Sequence, residues 1–291
     1  MPADPPPTLP AGSSVLDLGG RLVHLAVTPG VGTPVLLLGG CGVPSYVWDQ
    51  VADRLGDRPV VRLDRPGLVD TPWPGHLPRL DEEVATLVAL VERVGEPMVA
   101  VAHSMAGPHA EALARRRPDA LAGLVLVDAS VEWSPRQPRV SDLWVPVARG
   151  VRGAMRVPAL RGAGPLVDRV LVAAQSRRRR ILDPLSEPAR TTYRRGDTVA
   201  SVVAEQGAYG QQVFDLARLR ETAPWPGTPT VVLTAAGDGG PSWIEDQRRL
   251  AELLGGRQVV LDRARHLIMI DQPDSVVDAI RSLTSNPGSP A

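Results

Sequence analysis

Ser104 stands in MVAVAHSMAGPHAEALARRRP, residues 98–118, between a run of small apolar residues and a stretch patterned as a helix. A serine hydroxyl is a poor nucleophile until a base accepts its proton, and the base works best when a carboxylate orients its ring. The spacing resembles the nucleophile elbow Gly-x-Ser-x-Gly, with Ala102 and Ala106 at the flanking positions. In such a turn the serine takes a strained backbone conformation, and its neighbours two residues away must be small because strand and helix approach closely. Alanine meets that size limit nearly as well as glycine, and Pro108 suits a first helical turn, where its missing N–H costs nothing. The plain alternative is a turn serine with no reactivity.

Candidate partners lie downstream. His266, in LDRARHLIMIDQPDSVVDAI, follows an apolar run at 257–262 and is the expected base; its bland alternative is a histidine packed under the terminal helix. Asp238, in TAAGDGGPSW, sits in a Gly-rich turn and is the favoured orienting acid, with Asp128, at the end of GLVLVD, as its rival. His24, His76 and His109 read as structural, and His103 as a neighbour of Ser104 that points elsewhere. Acyl transfer also needs donors aimed at the developing oxyanion. The Met105 amide is one candidate and the Cys41 amide, in the glycine-rich LGGCGVPSYVWDQV, is the other. The Cys41 thiol is a rival nucleophile without an obvious base, and a free cysteine is usually a small buried hydrophobe.

These residues need a scaffold that brings distant segments to one edge. Near-continuous apolar runs at 34–40, 59–64, 97–102, 123–128, 229–235 and 257–262 predict strands covered on both faces, hence a parallel sheet. VLDLGGRLVHLAV, 15–27, predicts an antiparallel hairpin turning at Gly19-Gly20. Residues 81–95 show helical spacing at Val84, Leu87, Val88, Val91 and Val94, with Asp81 as expected N-cap and Gly95 as stop. Alternating strands and helices build right-handed βαβ units in a doubly wound layer. Residues 131–226 break the alternation with many prolines and patchy helical periodicity, and read as a helical cap inserted between core segments 14–130 and 227–284. Residues 1–13 and 285–291, rich in Pro, Ser and Gly, read as disordered tails.

Composition narrows the classes of partner. The 291 residues carry 32 basic and 32 acidic groups, and every basic one is arginine, so the formal charge is zero and a nucleic-acid role finds no basic excess. The run SRRRRILD, 176–183, reads as a solvated helix face. A lone cysteine excludes an internal disulfide, no Cys/His spacing suggests a metal, and nothing calls for a cofactor. No apolar stretch approaches the roughly 20 residues of a membrane span, and the N-terminal residues lack the pattern of a secretory signal. The expectation is a cytoplasmic protein acting on a small, apolar or amphiphilic molecule.

LLLGGCG with Trp48, LDRPGLVDT (63–71), VAHSMAG (101–107), GLVLVDAS (123–130), AAGD (235–238) and RARHLIMIDQPDSV (263–276), in that order, resemble the α/β-hydrolase superfamily, specifically its soluble, capped, esterase-like members. The resemblance runs from about residue 14 to 284. It implies a mostly parallel eight-stranded sheet with helices on both faces and a Ser-Asp-His triad, carried onto Ser104, Asp238 and His266 in the family's chain order. Two departures stand out: Gly39-Gly40 where the family often has His-Gly, and alanines in the elbow. Members that use an aspartate nucleophile, such as epoxide hydrolases and haloalkane dehalogenases, are disfavoured by a serine at 104. The implied function is a serine hydrolase of a small ester or related carbonyl compound. The same groups could serve carbon–carbon bond hydrolysis or perhydrolysis, and a non-catalytic small-ligand binder on this fold is the alternative of a different class.

Overall fold

The computed structural model describes residues 9–56, 58–138, 143–177, 191–237 and 239–284. Eight strands form one sheet: β1 (Gly12–Leu18), β2 (Arg21–Thr28), β3 (Val35–Leu38), β4 (Val60–Leu63), β5 (Met98–His103), β6 (Leu121–Val127), β7 (Thr230–Ala235) and β8 (Arg257–Leu261), in spatial order β1-β2-β4-β3-β5-β6-β7-β8. The first two form the expected hairpin, Leu18 opposite Arg21, with Gly19 and Gly20 at φ 67° and 85°. β2 also runs antiparallel to β4, and every other pairing is parallel. The central strands are buried along their length, which is why they read as unbroken apolar runs rather than alternating ones.

Helices α1 (Asp49–Arg54), α2 (Leu80–Val94), α3 (Ala106–Arg116), α7 (Pro241–Leu253), α8 (Ile268–Asp271) and α9 (Pro273–Thr284) belong to the sheet's connections. Two apolar clusters divide the core. One gathers α2, α3 and α7 residues such as Leu90, Leu113 and Leu250; the other sets Trp48, Val51, Ile268 and Ile280 against the alternate residues of the same strands. α2 begins two residues earlier than Asp81 suggested: Arg79 is the N-cap, its amide donates to Glu82 Oε2 at 3.3 Å, and Asp81 sits inside the acidic first turn. Gly95 ends the helix in the left-handed conformation, φ 79°, as expected. The N-terminal tail expected over 1–13 gives way to β1 at Gly12, because the hairpin ladder extends to Gly12 opposite Val27; residues 1–8 and 285–291 lie outside the described residues.

Between β6 and β7 run α4 (Trp144–Ala154), α5 (Pro158–Gln175) and α6 (Gly196–Thr222), with most of the arginine run 176–183 outside the described residues. α6 spans about 40 Å at 1.5 Å per residue. Its buried face is rich in small residues, including Ala200, Ser201, Ala204, Gly207 and Ala208, which lets other elements come close. A Cβ on Gly207 would meet Trp144 Cγ of α4 at 2.3 Å. Polar contacts tie α6 to the core: Thr198 Oγ1 donates to Gly67 O at 2.7 Å, Ser201 Oγ donates to Pro66 O, and Arg220 forks onto Glu111 of α3 with two 2.7 Å bonds. His109 of α3 donates from Nε2 to Gln212 Oε1 of α6 at 2.9 Å, and Arg65 Nη1 approaches its Nδ1 at 3.5 Å.

Burial, reinforced by the Arg65 charge, lowers the His109 pKa from 6.5 to about 4. Between those values the unfolded chain carries a proton on this ring that the folded protein lacks, so stability falls as pH drops from 6.5 toward 4, by up to about 3 kcal/mol for this residue. Urea unfolding followed across pH 4–7.5 is expected to show that loss, and His109→Gln should flatten part of the slope.

Candidate active site

The parallel register sets the geometry. His103, the last residue of β5, pairs with Val127, the last of β6, so Ser104 and Asp128 leave the sheet side by side at its C-terminal edge. Both adopt positive φ, 51° for Ser104 and 45° for Asp128; Val69 is the third such non-glycine among the described residues. A left-handed conformation in a side-chain-bearing residue costs about 1–3 kcal/mol and persists only where its surroundings over-determine it. They do here: the Ser104 amide donates to Val127 O at 3.1 Å, and the Ser104 carbonyl accepts from Gly107 and Ser130 at 3.0 Å each. Ala102 and Ala106 are fully buried, so the elbow forms with alanine where the motif has glycine. Gly107 is the position that tolerates nothing larger, since a Cβ there would lie 2.7 Å from Ala129 Cβ.

His266 arrives from the loop after β8 and donates from Nδ1 to Asp128 Oδ2 at 2.7 Å. The other carboxylate oxygen, Oδ1, accepts from the Ala235 amide at 3.0 Å and the Trp243 indole at 2.8 Å. The acid on this imidazole nitrogen is therefore the rival Asp128, while Asp238, the acid favoured from sequence, lies outside the described residues. The His266 loop is pinned on both sides: Asp271 Oδ2 accepts the Arg265 amide at 2.8 Å, and the Leu267 amide donates to Gln175 O, at the end of α5, at 2.9 Å.

His103 does more than its sequence neighbourhood suggested. Its ring packs on that of His266 at 4.5 Å between centroids, tilted by 51°, and its Nε2 donates to His266 O at 3.1 Å. Burial and the adjacent His266 hold its pKa well below the ordinary histidine value, so the ring stays neutral beside His266. No local signal marks this role, because the contact joins residues 163 positions apart. Ser130, also missed, sets its hydroxyl 3.5 Å from Ser104 Oγ.

The glycine-rich loop after β3 closes the other side. A Cβ on Gly40 would come within 2.7 Å of Ser104 Cβ and 2.8 Å of His103 Nδ1, so the loop backbone lies directly against the elbow. Gly39 is as confined, with Val43 O 2.1 Å from the place a Cβ would take. Among the described residues, no backbone carbonyl or side chain accepts from the Cys41 or the Met105 amide. The Cys41 thiol takes a 3.3 Å hydrogen bond from Gln206 Nε2, and burial with the nearby Glu205 charge pushes its pKa far above the ordinary value. A thiol so disfavoured as thiolate is a poor nucleophile. Among the described residues no group of His, Cys, Asp and Glu could hold a metal ion, and no helix is long and apolar enough to cross a membrane.

Residues 30–279 match the alpha/beta hydrolase family, and the chain belongs to it. Among curated proteins it is similar to the lipase LipV of Mycobacterium tuberculosis, 36% identical over 98 residues, a match spanning 33% of this chain and 37% of that lipase. Among solved structures it resembles a thermophilic esterase from Thermogutta terrifontis, with a TM-score of 0.71, 23% identity and coverage of 94% of this chain and all of that one. It also resembles the enol-lactonase from Burkholderia xenovorans LB400, with a TM-score of 0.67, 21% identity and coverage of 93% and 99%. At those identities the structures establish a shared fold.

Because Gly40 leaves no room for a methyl group against the elbow, Gly40→Ala is expected to cut turnover of a p-nitrophenyl ester at least 10-fold while the circular dichroism spectrum stays that of the parent. Steady-state kinetics beside thermal melting checks it.

Proposed function

We propose that the protein is a serine hydrolase acting on a small ester or related carbonyl compound, with Ser104 as nucleophile, His266 as general base and Asp128 as the orienting acid. The supporting observation is the 2.7 Å bond from His266 to Asp128, next to a serine held at φ 51°. Asp128 keeps the Nδ1 proton in place, which leaves the other ring nitrogen as the base. In the first half-reaction that nitrogen takes the Ser104 hydroxyl proton as Oγ bonds to the carbonyl carbon. The amides of Met105 and Cys41 are the donors assigned to the oxyanion. Collapse of the tetrahedral adduct breaks the bond to the leaving alcohol, which takes the proton from His266. Water then gives a proton to His266, attacks the acyl-serine, and releases the acid as the proton returns to Oγ.

The neutral His103 suits this cycle, since a second cation beside His266 would oppose the imidazolium that forms in each half-reaction. The inserted helices serve as a cap that shapes the substrate pocket; the contacts from Gln175 to the His266 loop and from α6 to the oxyanion loop support that role. Similarity to chains named as an esterase, an enol-lactonase and a lipase agrees with an ester-type substrate of apolar or amphiphilic character.

A fluorophosphonate probe is expected to add to Ser104, seen as an intact-mass shift that disappears in Ser104→Ala. A correctly folded wild-type protein that neither labels nor cleaves short p-nitrophenyl esters would sink the assignment. The acid is tested separately: Asp128→Asn is expected to lower kcat by about 10³- to 10⁴-fold, as loss of the orienting carboxylate does in serine proteases, and Asp238→Asn by less than about 10-fold. The reverse order would return the role to Asp238.

A further inference from the structure

Gly42 follows the proposed oxyanion donor Cys41 by one residue, and both of its backbone polar groups are held by the insertion. Its amide donates to Glu205 Oε2 of α6 at 3.1 Å, and its carbonyl accepts from the Tyr193 hydroxyl at 2.9 Å. The contact is close as well as polar: Gly42 has φ 66°, and a Cβ there would lie 2.8 Å from Val202 Cγ2. Val202, Glu205 and Gln206, spaced i, i+3 and i+4 on one helical face, thus all meet residues 41–42, the last through the Cys41 sulfur.

Glu205 is buried, at 3% side-chain exposure, and Arg65 Nη2 lies 2.9 Å from the same Oε2, a charge contact outside the angles of a directed hydrogen bond. A buried carboxylate is costly unless paired and hydrogen-bonded, and Arg65 with the Gly42 amide supplies both. From these contacts we infer that Glu205 and Tyr193 are positioning residues that hold the loop bearing the Cys41 amide, so that the insertion helix sets the geometry of the oxyanion site. The inference rests on the proposed serine-hydrolase reading for its catalytic consequence, and on geometry alone for the clamp. It also accounts for Gly39-Gly40: a loop without a histidine side chain of its own at position 39 is gripped from outside.

The test has two arms on the full-length protein. Hydrogen exchange by mass spectrometry reads the clamp itself: peptides covering 39–44 are expected to exchange at least 10-fold faster in Glu205→Ala and in Tyr193→Phe, and near the wild-type rate in Glu205→Gln, whose amide oxygen still accepts from Gly42. Turnover of p-nitrophenyl acetate reads the consequence: kcat is expected to fall about 10- to 100-fold in Glu205→Ala with KM within about 2-fold, and to recover most of that loss in Glu205→Gln. Unchanged exchange in both Glu205→Ala and Tyr193→Phe overturns the clamp, and faster exchange with wild-type kcat overturns its effect on the site. If Glu205→Ala does not fold, Tyr193→Phe, which leaves the ion pair intact, carries both arms. A wild-type protein without turnover refutes the hydrolase reading and the catalytic effect together, while the exchange arm still decides whether the clamp exists.

Discussion

The Asp128 carboxylate is the contact on which the site's assembly depends. One oxygen faces His266 from the loop after β8, and the other accepts from the Ala235 amide at the end of β7 and from the Trp243 indole of α7. A single side chain at the edge of β6 therefore joins three later segments of the chain. Three hydrogen bonds converge on one carboxylate, and the cost of seating it at φ 45° is offset by those bonds. Ser104 meets a parallel constraint one strand away, where the elbow's bonds to Val127, Gly107 and Ser130 fix the turn.

The sheet was legible because its central strands are short, apolar and bounded by turn residues, and their burial on both faces erases the alternation that would have suggested an antiparallel sandwich. The elbow was legible for a similar reason: a buried strand running into Ser-Met-Ala-Gly-Pro leaves few structures for the backbone to adopt. His266 followed from position, four residues after the last strand-like run. What local sequence could not reveal was the 2.7 Å contact between Asp128 and the His266 ring. Asp128 directly follows β6, and it meets His266 only because the loop from β8 folds back over that edge, a matter of tertiary path rather than residue type. His103 stayed hidden for the same reason, since its partner is the backbone of a loop far along the chain.

Glu205 and Tyr193 were harder still. A glutamate within a long helix ordinarily faces solvent, and nothing in TVASVVAEQGAYGQQ distinguishes Glu205 from a surface residue until Arg65 and Gly42 are seen beside it. The small residues along that helix were the available clue: Ala200, Ala204, Gly207 and Ala208 make a face that can lie close to other backbone, and a polar group on such a face must find its partner inside the protein.

The many anchors of α6 bear on how this fold could be recombined. Thr198 and Ser201 bond the carbonyls of Gly67 and Pro66, and Arg220 forks onto Glu111, so the helix is stitched to the 64–71 loop and to α3. Transplanting a foreign insertion between β6 and β7 would remove the Glu205 carboxylate from beside Arg65 and leave the Gly42 amide without its acceptor. A chimera that exchanged specificity with a relative would need to carry the 39–44 and 64–71 loops together with the helices, as one inherited block.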